Sequence, residues 1–145
     1  MRILAFDTTG ERLSVALLDG ERRRVRTARP SSEQDEQLTR ETERLLRSAK
    51  LRLADIDSFV AATGPGRFTG IRVGLTFAGV LAKALGKPAV GVSWLEAAAW
   101  RAAPGGEFIL SVVRGWKGEL FFQVLRRDGE WPEPLQPPRW SQPAG

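Results

Sequence analysis

Residues 62–75 read ATGPGRFTGIRVGL, a glycine-rich turn set between an apolar strand and an apolar helix. Gly64, Gly66 and Gly70 carry no side chain where the backbone must turn tightly, so amide groups can approach a partner or an anion. Pro65 stiffens the turn. The spacing is neither the dinucleotide-binding fingerprint nor a Walker loop, because no Gly-Lys-Ser/Thr occurs. The helix it opens, over residues 69–85, constrains the fold most. Its polar side chains are only Thr69, Arg72, Thr76 and Lys83. Ile71, Leu75, Ala78, Ala82 and Leu85 form one face; Val73, Phe77, Val80, Leu81 and Ala84 form much of the other. A helix apolar nearly all round must be covered nearly all round. One side can rest on a sheet, and the other needs a helix or another subunit. Gly70, Gly74 and Gly79 allow close backbone approach, although each costs about 1 kcal/mol relative to alanine in a helix interior. Gly86 stops the helix and Pro88 prevents its resumption.

Composition removes whole classes of chemistry. The 145 residues contain neither cysteine nor histidine. Disulfides, thiol nucleophiles, Ser-His and Cys-His catalysis and ordinary zinc sites are excluded. Only carboxylates, Lys, Ser or Thr could do covalent or acid–base work. With 42% hydrophobic residues the chain can build one or two small domains. No apolar run approaches the ~20 residues that span a bilayer. The N-terminus opens on a strand pattern rather than a targeting segment, so a cytoplasmic protein with no membrane contact is expected. The net charge of +5 comes mainly from arginine. Arg22, Arg23, Arg24, Arg26 and Arg29 form the best candidate for a basic patch toward nucleic acid or an acidic partner. The same arginines also read as charge protecting a solvated edge strand, and the absence of Asn, Cys and His fits a thermophile's composition.

Periodicity orders the elements. Ile3 to Phe6 is a continuous apolar run, as in a central strand covered on both faces, and Asp7 ends it. Leu13, Val15 and Leu17 alternate in a second strand, Asp19-Gly20 makes a hairpin, and residues 22–27 return as a third. Pro30-Ser31-Ser32 starts a helix with Ser31 or Ser32 as N-cap. In it Leu38, Thr42, Leu45, Leu46 and Ala49 share one face, with Glu36/Arg40 and Glu43/Arg47 pairs on the wet side. Residues 58–63 form a fourth strand and residues 89–92 a fifth. Ser93-Trp-Leu-Glu96 is a capping box opening a third helix that ends by Pro104. Residues 108–113 and 119–126 pair as a hairpin through Lys117-Gly118. Beyond Asp128-Gly129, prolines at 132, 134, 137, 138 and 143 argue against a regular element.

Three blocks in order carry a resemblance: Ile3-Leu-Ala-Phe-Asp-Thr-Thr9, Gly64-Pro-Gly-Arg-Phe-Thr-Gly-Ile-Arg-Val-Gly74, and Lys83-Ala-Leu-Gly-Lys-Pro-Ala-Val-Gly-Val-Ser93. Over roughly residues 1–122 the chain resembles the bacterial TsaB (YeaZ) family, subunits of the machinery that makes threonylcarbamoyladenosine in tRNA. The resemblance implies an α/β fold: a ribonuclease H-like (actin-like ATPase) lobe, βββαβαβ, with a mixed sheet flanked by helices. Residues 1–103 would form that lobe. Family members normally continue into a complete second lobe, so residues 104–145 would form a truncated, rudimentary one with a Pro-rich tail.

The resemblance also implies the functional reading. The chain would be a non-catalytic scaffold for a TsaD-like catalytic subunit, within a complex that includes a TsaE-like ATPase and transfers a threonylcarbamoyl group to adenosine 37 of tRNA. Its contact with tRNA would be indirect. Alone, the same surface would make a homodimer. The interface residues would be Leu38, Leu45, Arg72, Val73, Leu75, Phe77, Val80 and Leu81. No catalytic residue, metal or cofactor of its own is implied, with ATP and Mg²⁺ handled mainly by partner subunits. The His-x-x-x-His metal ligands of TsaD correspond here to Gln34-Asp-Glu-Gln-Leu38. The family's Asp-Ala-Arg…Glu motif becomes Arg114-Gly-Trp-Lys-Gly-Glu119, matching only at Glu119. The alternative is an actin-like ATPase or small-molecule kinase whose phosphate turn uses Asp7, Thr8, Thr9, Gly64, Gly66 and Thr69. A ribonuclease H-type nuclease would need several carboxylates converging on two metals, and only Asp7 sits at a suitable strand end.

Overall fold

The computed structural model describes residues 1–29, 33–102, 107–115, 118–127 and 129–142. Contacts divide the chain into two compact units: Met1–Thr63 with Phe68–Gly91, and Gly64–Arg67 with the described residues from Val92 onward. The first unit holds β1 (Arg2–Asp7), β2 (Leu13–Asp19), β3 (Arg22–Ala28), α1 (Gln34–Ala49), a 3₁₀ turn (Leu53–Asp55), β4 (Ser58–Ala62), α2 (Phe68–Leu85) and β5 (Ala89–Val92). Its sheet has the order β3-β2-β1-β4-β5. β1 pairs antiparallel with β2 and parallel with β4, placing it at the centre, as its apolar run requires. Leu4 and Phe6 are fully buried, whereas Ile3 and Ala5 on the opposite face are half-buried, so cover is complete on one side only. The expected order of elements is observed.

The core of this unit lies between that sheet face and the two helices. Leu4, Phe6, Leu13, Val15, Leu17 and Phe59 from the strands meet Leu38, Leu45 and Leu46 of α1 and Ala78 and Ala82 of α2. Phe6 stacks on Phe59 with centroids 6.5 Å apart and meets Phe77 edge-on at 5.1 Å. Gly86 ends α2 with φ +63°, and the Lys87 amide donates to the Ala82 carbonyl at 2.9 Å. Glycine takes this left-handed stop without the Cβ clash of other residues.

α1 starts at Gln34. Glu33 holds the N-cap position without a side-chain cap. The N-cap residues expected there, Ser31 and Ser32, lie outside the described residues. The Glu36–Arg40 pair forms at 3.4 Å. Among the described residues no ion pair joins Glu43 to Arg47; the stronger ionic contact of α1 is at Glu41. Its buried carboxylate accepts from Arg26 Nε at 2.5 Å and from Arg44 at 2.8 Å. Glu41 stands three residues after Leu38 and four before Leu45, so helical spacing carries it onto the apolar stripe. Burial pushes this carboxyl up, but the hydrogen bonds and charges of Arg26 and Arg44 together hold it below its ordinary value. A depressed carboxylate stabilises fully above the unfolded pKa near 4.5 and loses that contribution as pH falls through its lower folded value. Glu41→Gln should therefore cost about 1–2 kcal/mol at neutral pH and flatten the acid limb of a urea-midpoint profile below pH 4.5. Parallel profiles for the two proteins would contradict this.

The second unit holds α3 (Trp94–Arg101), β6 (Phe108–Arg114), β7 (Leu120–Arg126), β8 (Glu133–Pro134) and β9 (Arg139–Ser141). β7 pairs antiparallel with β6 along its length and with β8 and β9 toward its two ends. The units part at Gly91/Val92 rather than at residue 103, because α3 packs on β6 and β7. Ser93 caps α3, its Oγ accepting the Leu95 amide at 3.2 Å, but among the described residues no return bond from Glu96 completes the expected capping box. Arg127 caps the other end, donating to the carbonyls of Ala99, Trp100 and Ala102. The Gly64–Arg67 turn joins this unit through the Trp94 amide, which donates to the Gly64 carbonyl at 2.8 Å. The Gly64–Pro65 peptide is cis.

The proline-rich tail departs from expectation. β8 and β9 are strands, although Pro134 lies within one of them. A two-residue strand tolerates proline where its missing amide is not needed, and here the Leu135 amide makes the bond, to Val124, at 3.0 Å. The expected features at Pro104, Lys117, Asp128 and Pro143 lie outside the described residues.

Candidate functional site

The first strand delivers Asp7, Thr8 and Thr9 to its C-terminal end. Asp7 Oδ1 accepts the Thr9 amide at 2.9 Å and the Thr9 hydroxyl at 2.7 Å, an aspartate turn closed on itself. The Thr8 hydroxyl donates to the Gly70 carbonyl at 2.5 Å, tying this turn to the first residues of α2. Both threonines are 2% exposed. Gly70 and Gly74 lie against Thr8: a Cβ at Gly74 would come within 2.7 Å of Thr8 Oγ1. Thr69 is exposed on α2. Gly64 and Gly66 belong to the other unit. The hydroxyls a phosphate turn would offer are thus buried and bonded within the protein, and do not fit a nucleotide's phosphates as they stand. Among the described residues no three Asp or Glu side chains gather to hold a metal.

α2 presents a different surface. Its buried stripe is Gly70, Gly74, Ala78 and Ala82, recurring every four residues against β4 and β1. Small residues let the helix lie close on the sheet. Val73, Phe77, Leu81 and Leu85 are half-buried against the core. The outer face carries Phe68 at 73% exposure, Val80 at 60% and Leu75 at 40%. The helix is therefore not enclosed by its own unit. By length and composition alone α2 could cross a bilayer; its small-residue stripe packs on a sheet instead.

Beside that outer face, two open grooves of about 430 Å³ each run along the α1–α2 junction. Thr39, Thr42, Leu46, Leu51 and Leu81 line one; Asp35, Thr69, Arg72, Thr76 and Val80 line the other, and Phe77 reaches both. The Arg72 guanidinium lies 5.5 Å from the Phe68 ring centroid.

The structure thus gathers Arg72, Val73, Leu75, Phe77, Val80 and Leu81 on one helix, with Arg72, Leu75 and Val80 outermost. It corrects the placement of Leu38 and Leu45. These two are 0% and 1% exposed, turned into the unit's own core beneath α1 and out of a partner's reach. Sequence reasoning missed Phe68. It was read as part of the turn, but as the first residue of α2 it falls on the exposed arc with Arg72 and Leu75, three or four and seven residues on.

A hairpin-built β3-β2-β1 edge extended by β4 and β5, with helices packed on the sheet, defines an α/β protein of the ribonuclease H-like class to which the actin-like ATPase lobes belong. A family model described as TsaD, tRNA N6-adenosine threonylcarbamoyltransferase, matches residues 29–131. The Escherichia coli tRNA threonylcarbamoyladenosine biosynthesis protein TsaB is 32% identical over 136 residues, covering 90% of this chain and 58% of that protein. A tRNA N6-adenosine threonylcarbamoyltransferase of Chlorobaculum tepidum is 34% identical over 155 residues, covering 88% and 42%. The solved structure of YeaZ from Pseudomonas aeruginosa superposes with a TM-score of 0.80 at 27% identity, covering 96% of this chain and 66% of that one. The chain belongs to the family that this model describes, and it is similar over nearly its whole length to the TsaB and YeaZ proteins. It spans about 58% of the length of E. coli TsaB.

Proposed function

We propose that the chain serves the synthesis of N6-threonylcarbamoyladenosine at adenosine 37 of tRNA, as a non-catalytic docking subunit for a TsaD-like catalytic protein. One observation carries this reading: α2 keeps Phe68, Leu75 and Val80 in solvent beside an apolar groove. Exposed apolar surface of this kind, edged by Arg72 and Asp35, marks a protein interface. The two-sided apolarity of residues 69–85 then has a physical cause, because the sheet covers one side and a partner the other. Alone, the same helix pairs with a second copy. A TsaE-like ATPase completes the assembly in the cytoplasm, and tRNA is met mainly through the partner. The buried, internally bonded Thr8 and Thr9 support the view that nucleotide is handled by the other subunits. The lack of histidine and cysteine supports the same division of labour.

Co-purification with the TsaD-like subunit of the same host tests this. Val80 is exposed, so Val80→Glu should fold normally, with an unchanged circular dichroism spectrum. A carboxylate buried at the centre of an apolar interface should weaken the complex on the order of 100-fold. Undiminished recovery of the partner with Val80→Glu would remove the proposed surface.

A further inference from the structure

We propose that β3, the outer strand of the first unit, binds the phosphate backbone of RNA through a row of arginines. This goes beyond the docking role, which leaves tRNA mainly to the partner, and takes from that role only the choice of RNA as the polyanion. Four of the seven residues of β3 are arginine: Arg22, Arg23, Arg24 and Arg26. Successive side chains of a strand alternate between its faces. Arg22, Arg24 and Arg26 therefore share one face, opposite Asp19, Leu17 and Val15 of β2. Leu17 and Val15 belong to the core beneath α1, and Arg26 reaches Glu41 of α1 from the same side, which fixes the direction of the row.

Internal pairing does not account for these charges. Arg2, Arg40 and Arg52 of the first unit each meet a carboxylate of their own. Arg26 shares Glu41 with Arg44 of α1. Among the described residues no carboxylate pairs with Arg22 or Arg24, and both are exposed. Asp19, beside them in the hairpin, is held by Arg2. Four cations (Arg22, Arg24, Arg26 and Arg44) against Glu41, with Glu21 in the adjoining turn, leave a surplus of at least two positive charges. Charge of either sign guards an edge strand against pairing with another chain. A run of one sign repels itself, which guarding does not require and a bound anion relieves.

The spacing selects the anion. Positions two residues apart on a strand are about 6.6–7 Å apart, close to the step between successive phosphates of a nucleic-acid strand. Guanidinium forks match phosphate oxygens two at a time. Whatever lies against this strand must bring negative charge at that interval. Contacts of this kind hold the RNA in place and carry no base specificity, so binding should depend on salt and not on sequence.

The test titrates a fluorescently labelled tRNA transcript with the full chain and no TsaD-like subunit, so its outcome does not depend on docking through α2. Anisotropy should show binding that weakens as salt rises. The double variant Arg22→Gln/Arg24→Gln should bind about tenfold more weakly, and its plot of log affinity against log salt should be shallower by about 1.4–1.8, the loss of two phosphate contacts. The control, Arg114→Gln/Arg139→Gln, removes the same charge from exposed positions of the second unit and should bind within about twofold of the parent. All four side chains are exposed, so circular dichroism should be unchanged in both. A parent that binds no tRNA at low salt overturns the proposal. So does an Arg22→Gln/Arg24→Gln protein that binds no more weakly than the control, which would make the attraction one of net charge. Binding of polyglutamate in place of tRNA, lost with the same two arginines, would also overturn it, in favour of an acidic protein.

Discussion

Alanine at Gly70 should destabilise the first unit by about 3 kcal/mol or more, enough to unfold a marginal domain. The reason is local. A Cβ built on Gly70 falls inside the van der Waals envelope of the Thr8 carbonyl oxygen and 2.9 Å from its carbon. These are backbone atoms at the end of the central strand, held by the Thr8–Gly70 hydrogen bond, so neither side can yield cheaply. Either α2 lifts from the sheet or the Asp7–Thr9 turn distorts. Gly79 is the control. It lies on the exposed side of the same helix with nothing within 4 Å of an added Cβ. Gly79→Ala should stabilise by up to about 1 kcal/mol through helix propensity. Urea denaturation of the two variants should move the midpoint in opposite directions. Equal shifts would mean that α2 does not lie against Thr8 as described.

The second large effect is expected at Phe6. Its ring is 2% exposed and bridges the sheet to α2, stacking on Phe59 and meeting Phe77 edge-on. Phe6→Ala removes that bridge and leaves a cavity between β1 and α2. The cost should be about 3–5 kcal/mol. Because Phe77 lines both grooves at the α1–α2 junction, the variant should also loosen the docking helix, seen as faster amide exchange in α2 than in β2. A loss below about 1 kcal/mol, with α2 protection unchanged, would contradict this packing.

The fold was legible where local rules agree. Alternation, the Asp19-Gly20 turn, Ser93 and Gly86 place β2, β3, α3 and the end of α2 within a residue or two. The apolar surface of α2 was legible too, but its rotation was not. Hydrophobicity points to Leu and Val as the buried residues, whereas close packing on the sheet selected Gly70, Gly74, Ala78 and Ala82. That choice follows from the proximity of Thr8, sixty-two residues earlier, which no local pattern encodes. Leu38 and Leu45 fail as interface residues for the complementary reason. Their helical spacing marks a buried face without saying whether sheet or partner buries it. Glu41 shows the reverse: a charge on the apolar stripe, intelligible only once Arg26 is brought across from β3. In the tail, proline content hid β8 and β9, because a strand of two or three residues needs few amides.

The docking role is tested most directly by hydroxyl-radical footprinting of the chain bound to its TsaD-like subunit. The account predicts that Phe68, Leu75 and Val80, exposed in the free chain, lose most of their labelling in the complex, while core residues such as Phe59 stay dark in both states. Full labelling of Phe68, Leu75 and Val80 in a complex that has demonstrably formed would contradict it.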